Sequence, residues 1–285
     1  MRKKLFSVLA AVFFIAAVAA LSYPIISNVL NNRESAVTVE SYDTAVERLT
    51  KREKESMLKN AEKYNAALSP QDLDDSLNFS PENYDEMLSV TDDGAMCCIN
   101  IPSLSMYLPV YHGTEVDTLQ KGIGHLAGSA LPVGGEGTHC VLTGHSGLAE
   151  NKLFTDITKL EVGDIFYLHT LGETLAYKVG EINTVDPSDK SLLKAEDGED
   201  LCTLVTCTPY GINTHRLLVK GERIDYVPPQ DAVTEVPEET HSNFRFFETV
   251  CAVLGILFLI GGIAVLLSDK IRGRKVKHEY RHGKR

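Results

Sequence analysis

The chain has 285 residues, 44% of them hydrophobic, and a formal net charge of −11 at neutral pH. That length suits one or two globular domains, and the acidic balance excludes nucleic acid as a partner, because a surface of this sign does not neutralise phosphates. Six cysteines occur with neither a CxxC pair nor a Cys/His spacing suited to zinc, so neither a metal nor a cofactor is expected.

Charge is unevenly spread. Arg2-Lys3-Lys4 precede residues 5–30, which carry no charge, and residues 249–268 form a second uncharged run. Each run is long enough to cross the ~30 Å hydrocarbon core of a bilayer as a helix. The first reads as an uncleaved anchor because it is long and unbroken; the alternative is a signal peptide cut near the small residues Ala16 to Ala20. The second is followed by residues 269–285, with eight basic against two acidic residues. Basic flanks at both ends predict two membrane helices, both termini cytoplasmic and the middle of the chain outside. The tail reads as a topology determinant with some attraction to anionic lipid.

Residues 37–68 are charged and lack Pro and Gly. Tyr42, Val46, Leu49, Met57, Ala61, Tyr64 and Leu68 recur at helical steps with one longer gap, which predicts one or two amphipathic helices ending at Ser69-Pro70. Residues 71–87 are acidic and irregular, a linker or a flap over a site. From Gly94 the pattern changes to short apolar runs between Gly and Pro. The candidate strands are 95–101, 108–111, 139–142, 165–169, 175–185, 201–207 and 217–224, with short helices at 119–125 and 153–160. Such spacing predicts a mainly β barrel or sandwich. Pro228-Pro229 close the domain, and acidic residues 227–248 link it to the second apolar run.

Four of the six cysteines read as packing residues. Adjacent Cys97 and Cys98 point to opposite faces of one strand, and Cys140 and Cys202 sit in apolar runs. Cys251 lies in the second membrane run. Cys207 differs, standing at a strand end beside polar residues. Arg216 begins the next strand, across a turn built on Pro209 and Gly211, so thiol and guanidinium can face each other. His145 follows the apolar run 139–142 in a loop between Gly144 and Gly147.

A free thiol with a pKa near ~8.5 is little ionised at neutral pH, and a histidine of pKa ~6.5 can take its proton. A permanently charged arginine fork suits a developing oxyanion. Cys207, His145 and Arg216 therefore predict attack on an acyl group. The alternative for these residues is a buried thiol, a surface histidine and a structural ion pair. His112, His125 and His139 compete for the histidine's place, whereas His215 adjoins Arg216 and points to the opposite face.

Three stretches carry a resemblance. Val141-Leu142-Thr143-Gly144-His145, Thr203-Leu204-Val205-Thr206-Cys207-Thr208-Pro209-Tyr210-Gly211 and Asn213-Thr214-His215-Arg216 closely resemble the signatures of the sortases. Leu131-Pro132-Val133-Gly134-Gly135-Glu136-Gly137-Thr138-His139, Lys152-Leu153-Phe154-Thr155-Asp156 and Leu217-Leu218-Val219-Lys220-Gly221-Glu222-Arg223 look like class C sortases, the pilin polymerases of Gram-positive bacteria. The resemblance covers residues 93–226, and the two anchors match it.

The resemblance implies a closed eight-stranded β-barrel with short helices, here preceded by a helical segment and flanked by two transmembrane helices. It implies that Cys207 attacks the Thr–Gly bond of an LPXTG-like sorting signal and carries a thioester. His145 then serves as acid and base, Arg216 holds the carbonyl, and the lysine of a second pilin subunit resolves the thioester. The partners expected are pilin subunits and the membrane. Other readings are a housekeeping sortase that attaches proteins to a peptidoglycan precursor, and a non-catalytic anchored binding module. Class C members usually carry a lid with an Asp-Pro-aromatic motif. Residues 68–88 here offer only Ser69-Pro70-Gln71 and Ser80-Pro81-Glu82, so no lid residue is assigned; Phe79 and Tyr84 are the aromatics that could fill that place.

The expected organisation is a cytoplasmic head (1–4), an N-terminal membrane helix (5–30), an extracellular stalk with a lid segment (31–92) and the barrel (93–226). A linker (227–248), a second membrane helix (249–268) and a basic tail (269–285) follow.

Overall fold

The computed structural model describes residues 2–69, 73, 83–147 and 153–228. The second apolar run, the basic tail, Phe79 and both Ser-Pro sites of the connecting segment lie wholly or partly outside the described residues.

The chain begins with one continuous helix, α1 (Arg2–Arg48), which passes position 30 without a break. Among the described residues it is the helix long and apolar enough to cross a membrane. Its outer part turns one face to the barrel: Val39, Tyr42 and Val46, three and four residues apart, are buried. The Tyr42 hydroxyl donates to the Met96 carbonyl at 3.1 Å and accepts the Leu171 N–H at 3.0 Å. A buried aromatic thus finds partners for its polar end on one strand and in one turn. Helix α2 (Lys51–Ala67) starts in a capping box, in which Thr50 and Glu53 each bond the other's backbone N–H. It buries Ala61 and Tyr64, and Asn65 exchanges two hydrogen bonds with the backbone of Leu131, at 2.7 and 3.2 Å. The expected stalk is therefore packed on the barrel, and its apolar spacing marked the face that packs.

The eight strands are β1 (Ala95–Ile101), β2 (Met106–His112), β3 (Ile123–His125), β4 (Thr138–Thr143), β5 (Ile165–Thr170), β6 (Glu173–Val185), β7 (Asp200–Thr208) and β8 (His215–Ile224). They close in the order β1-β2-β3-β4-β7-β8-β6-β5. One expectation needs correcting: the short helix expected at 119–125 covers only 119–121 of that range. Helix α3 (Val116–Lys121) ends before Gly122, and β3 then pairs in parallel with β2 and antiparallel with β4. A Cβ at Gly122 or Gly124 would meet Pro109, Tyr111, Leu119 or the Gly113 carbonyl at under 3 Å, so these positions accept only a glycine. The 3-10 turn Leu153–Lys159 occupies the second expected short helix.

Two apolar layers result. Inside the barrel, Ile99, Cys140, Leu142, Phe166, Leu168, Tyr177, Cys202, Leu204 and Val219 pack together. Cys97 and Cys98 are both buried and unpaired, on opposite sides of β1 as expected. Alternation along β4, β7 and β8 sends Val141, Val205 and Leu218 to the outside, where they form a second cluster with Leu193 and Leu73.

Candidate active site

The outer cluster leads directly to the site. Strands β4 and β7 run parallel with Val141 beside Thr203 and Thr143 beside Val205. Continued by two residues along both strands, that register sets His145 beside Cys207. Strands β7 and β8 are antiparallel with Cys207 opposite Arg216, and β6 places Val185 opposite Arg216 on the other side. His145, Cys207 and Arg216 therefore extend the outward row formed by Thr143, Val205 and Leu218. Cys207 and Arg216 are paired directly, and His145 follows the end of the strand beside β7. Cys207 and Arg216 meet across one hairpin, whereas His145 comes from the end of a strand some 60 residues earlier.

Two hydrogen bonds continue the β4–β7 contact past the end of the ladder. Gly144 N–H donates to the Val205 carbonyl at 3.0 Å, and the Thr206 hydroxyl donates to the Gly144 carbonyl at 2.7 Å. Thr206 is 1% exposed, so this bond is shielded from water. It couples the residue before Cys207 to the residue before His145. Thr206 was not singled out in the sequence; its signal is a hydroxyl in line with the inward-facing Cys202 and Leu204.

Cys207 is a half-buried free thiol. His145 is also half-buried, and burial holds its pKa below the ordinary value. At neutral pH this favours the uncharged imidazole, the form able to accept a thiol proton. Arg216 donates through Nη1 to the carbonyls of Asn213, at 3.3 Å, and His215, at 3.1 Å. Its other guanidinium nitrogens can donate to a carbonyl oxygen above Cys207.

The competing histidines hold structural positions. The His125 Nε2–H donates to the Ala130 carbonyl at 2.9 Å, and its Nδ1 lies 2.7 Å from the Tyr84 hydroxyl. Full burial pushes its pKa down to about 4. His139 bridges the Lys194 carbonyl and the Thr203 hydroxyl, and His112 bonds the Met87 carbonyl. His215 is exposed, beside Arg216 but on the alternate face. Tyr84 does not stand over Cys207; it is buried against His112 and His125. Leu73 is the residue of the connecting segment found on the site's face. It is 4% exposed among Val141, Leu193, Val205 and Leu218, and its carbonyl accepts from Lys190 Nζ at 2.9 Å. Among the described residues no group of three or more His, Cys, Asp or Glu could hold a metal ion.

The arrangement can form a thioester: a thiol at a strand end, a neutral imidazole beside it and a cation opposite. Comparison with known proteins points to one family. The sortase domain family matches residues 99–224. A sortase C of Streptococcus pneumoniae, whose crystal structure bears on catalysis and pilin substrate specificity, is 43% identical. The match covers 67% of this chain and 98% of that one, with a TM-score of 0.63. A sortase C of Clostridium perfringens, solved with a C-terminal cell wall sorting motif, is 46% identical over 67% of this chain and 99% of its own, with a TM-score of 0.58. Sortase D of Bacillus subtilis is 28% identical over 163 residues, covering 56% of this chain and 79% of that protein.

Proposed function

The chain belongs to the sortase family, with class C sortases as its structural neighbours, and on that premise we propose that it polymerises pilins through a thioester on Cys207. It is a cysteine transpeptidase of the sortase type. The observation that carries the finer reading is the register of the row, Cys207 opposite Arg216 with His145 reached by extending the β4–β7 pairing.

The Cys207 sulfur attacks the Thr carbonyl carbon of an LPXTG-like signal, forming a C–S bond as the carbonyl oxygen takes negative charge. Arg216 donates to that oxygen. The proton given up by the thiol passes through His145 to the glycine amine as the C–N bond breaks. A lysine amine of a second pilin subunit then attacks the thioester. A new C–N bond forms, the C–S bond breaks, and the thiol recovers its proton by way of His145.

Residues 93–226 constitute the catalytic unit in this reading. The apolar part of α1 anchors it to the membrane with the barrel outside, and residues 249–268 supply a second span. Incubating the full-length protein in detergent with pilin subunits from the same genome tests the reaction. Ladders joined through a pilin lysine, mapped by mass spectrometry, are expected. Products joined only to a peptidoglycan cross-bridge amine would refute pilin polymerisation in favour of wall attachment.

A further inference from the structure

His145 sits in a loop beyond β4, and the 3-10 turn Leu153–Lys159 holds that loop from the side. The Phe154 N–H donates to the His145 carbonyl at 3.1 Å. The Thr155 Oγ accepts the Gly147 N–H, also at 3.1 Å. The Phe154 ring is fully buried and rests so closely on Gly144 that a Cβ there would meet it at 2.7 Å. Gly147 takes a positive φ of 81°, and a Cβ on it would sit 3.4 Å from the Gly211 nitrogen and 3.6 Å from the Tyr210 ring. The loop is thus gripped before, at and after the histidine, and among the described residues the hydrogen bond after it goes to the Thr155 side-chain oxygen.

We propose that Thr155 is a positioning residue for His145, its hydroxyl oxygen tying down the far side of the loop so that the imidazole stays half-buried beside Cys207. This rests on the role given above to His145. Phe154 secures the chain at Gly144 and at the His145 carbonyl, but not beyond it. Without the Thr155 oxygen, the Gly147 N–H has water as its alternative partner, and the loop can open away from the β7–β8 turn. Burial is the cause of the low His145 pKa. Opening the loop therefore changes both the orientation of the ring and its proton affinity.

The test compares Thr155→Val, which keeps the shape and removes the acceptor, with Thr155→Ser, which keeps the acceptor. Full-length protein in detergent is used, with acylation by a sorting-signal peptide and NMR titration of the histidines. Thr155→Val is expected to lower kcat by roughly three- to tenfold, the cost of one net hydrogen bond, with KM within about twofold. The His145 titration should move up toward the ordinary histidine value while the thermal midpoint of the barrel holds. Thr155→Ser should restore both kcat and the titration, and Thr155→Ala should behave as Thr155→Val. Wild-type kcat with an unmoved His145 titration in both Thr155→Val and Thr155→Ala would overturn the proposal. His145→Ala separates the two levels. An active His145→Ala would overturn the role of His145 itself, whereas an inactive one beside unperturbed Thr155 variants overturns only the brace.

Discussion

Thr206→Val probes the bond that couples the two strand ends of the site. Valine nearly matches threonine in shape, so the substitution removes the 2.7 Å bond to the Gly144 carbonyl without opening a cavity. A typical hydrogen bond contributes about 0.5–1.5 kcal/mol net, and a buried acceptor left without its partner costs about 1–3 kcal/mol. With Thr206 1% exposed, water cannot readily replace the hydroxyl, so a stability loss of about 1–3 kcal/mol is expected. The effect on rate should be larger than one hydrogen bond suggests. Gly144 precedes His145 and Thr206 precedes Cys207, so loosening the bond lets the proton carrier drift from the nucleophile. Misplacement on the order of 1 Å can cost about 100-fold in rate. Urea unfolding gives the stability, and kcat/KM for peptide acylation gives the rate; Thr206→Ser, which keeps the donor, is the control. A Thr206→Val protein as stable and as active as wild type would refute the idea that this bond couples the strand ends.

Two further outcomes follow from burial. His125 has a folded pKa of about 4, below its unfolded value of ~6.5, so it favours the folded state fully above pH ~6.5 and loses that contribution as pH falls toward 4. Between pH 7 and 4.5 the unfolding free energy should drop by about 2–3 kcal/mol from this group alone; His112, His139 and His169, also depressed by burial, act in the same direction. Denaturant melts showing equal stability at the two pH values would contradict this. Leu73→Ala should uncover the apolar surface of Val141, Val205 and Leu218 below Cys207, lowering the KM for a leucine-bearing sorting peptide at some cost in unfolding midpoint; an unchanged or higher KM would show that Leu73 does not compete with substrate.

What could be read in the sequence divides along local and non-local lines. Strand β1 falls at the expected residues, and the helical steps from Tyr42 to Tyr64 mark the face that packs, because alternation and helical period are properties of neighbouring residues. Strand β3 carries no readable period, being three residues long with Gly124 at its centre; parallel pairing with β2 makes it a strand. The candidate trio was legible as residue types at strand ends. The pairing of Cys207 with Arg216 was legible too, but the place of His145 was not, since the parallel register of β4 on β7 depends on a crossover connection. The Thr206 bond and the seat of Leu73 likewise depend on that register, and no local pattern announces them.

The account rests on Cys207 as the acyl carrier, and intact-mass spectrometry measures this directly. Full-length protein mixed with an LPXTG-type peptide in the absence of acceptor amine should gain the mass of the cleaved acyl fragment. Fragmentation should place that mass on Cys207, and hydroxylamine should remove it, as it does other thioesters. The Cys207→Ala protein should gain nothing. An adduct of equal yield in Cys207→Ala would contradict the account.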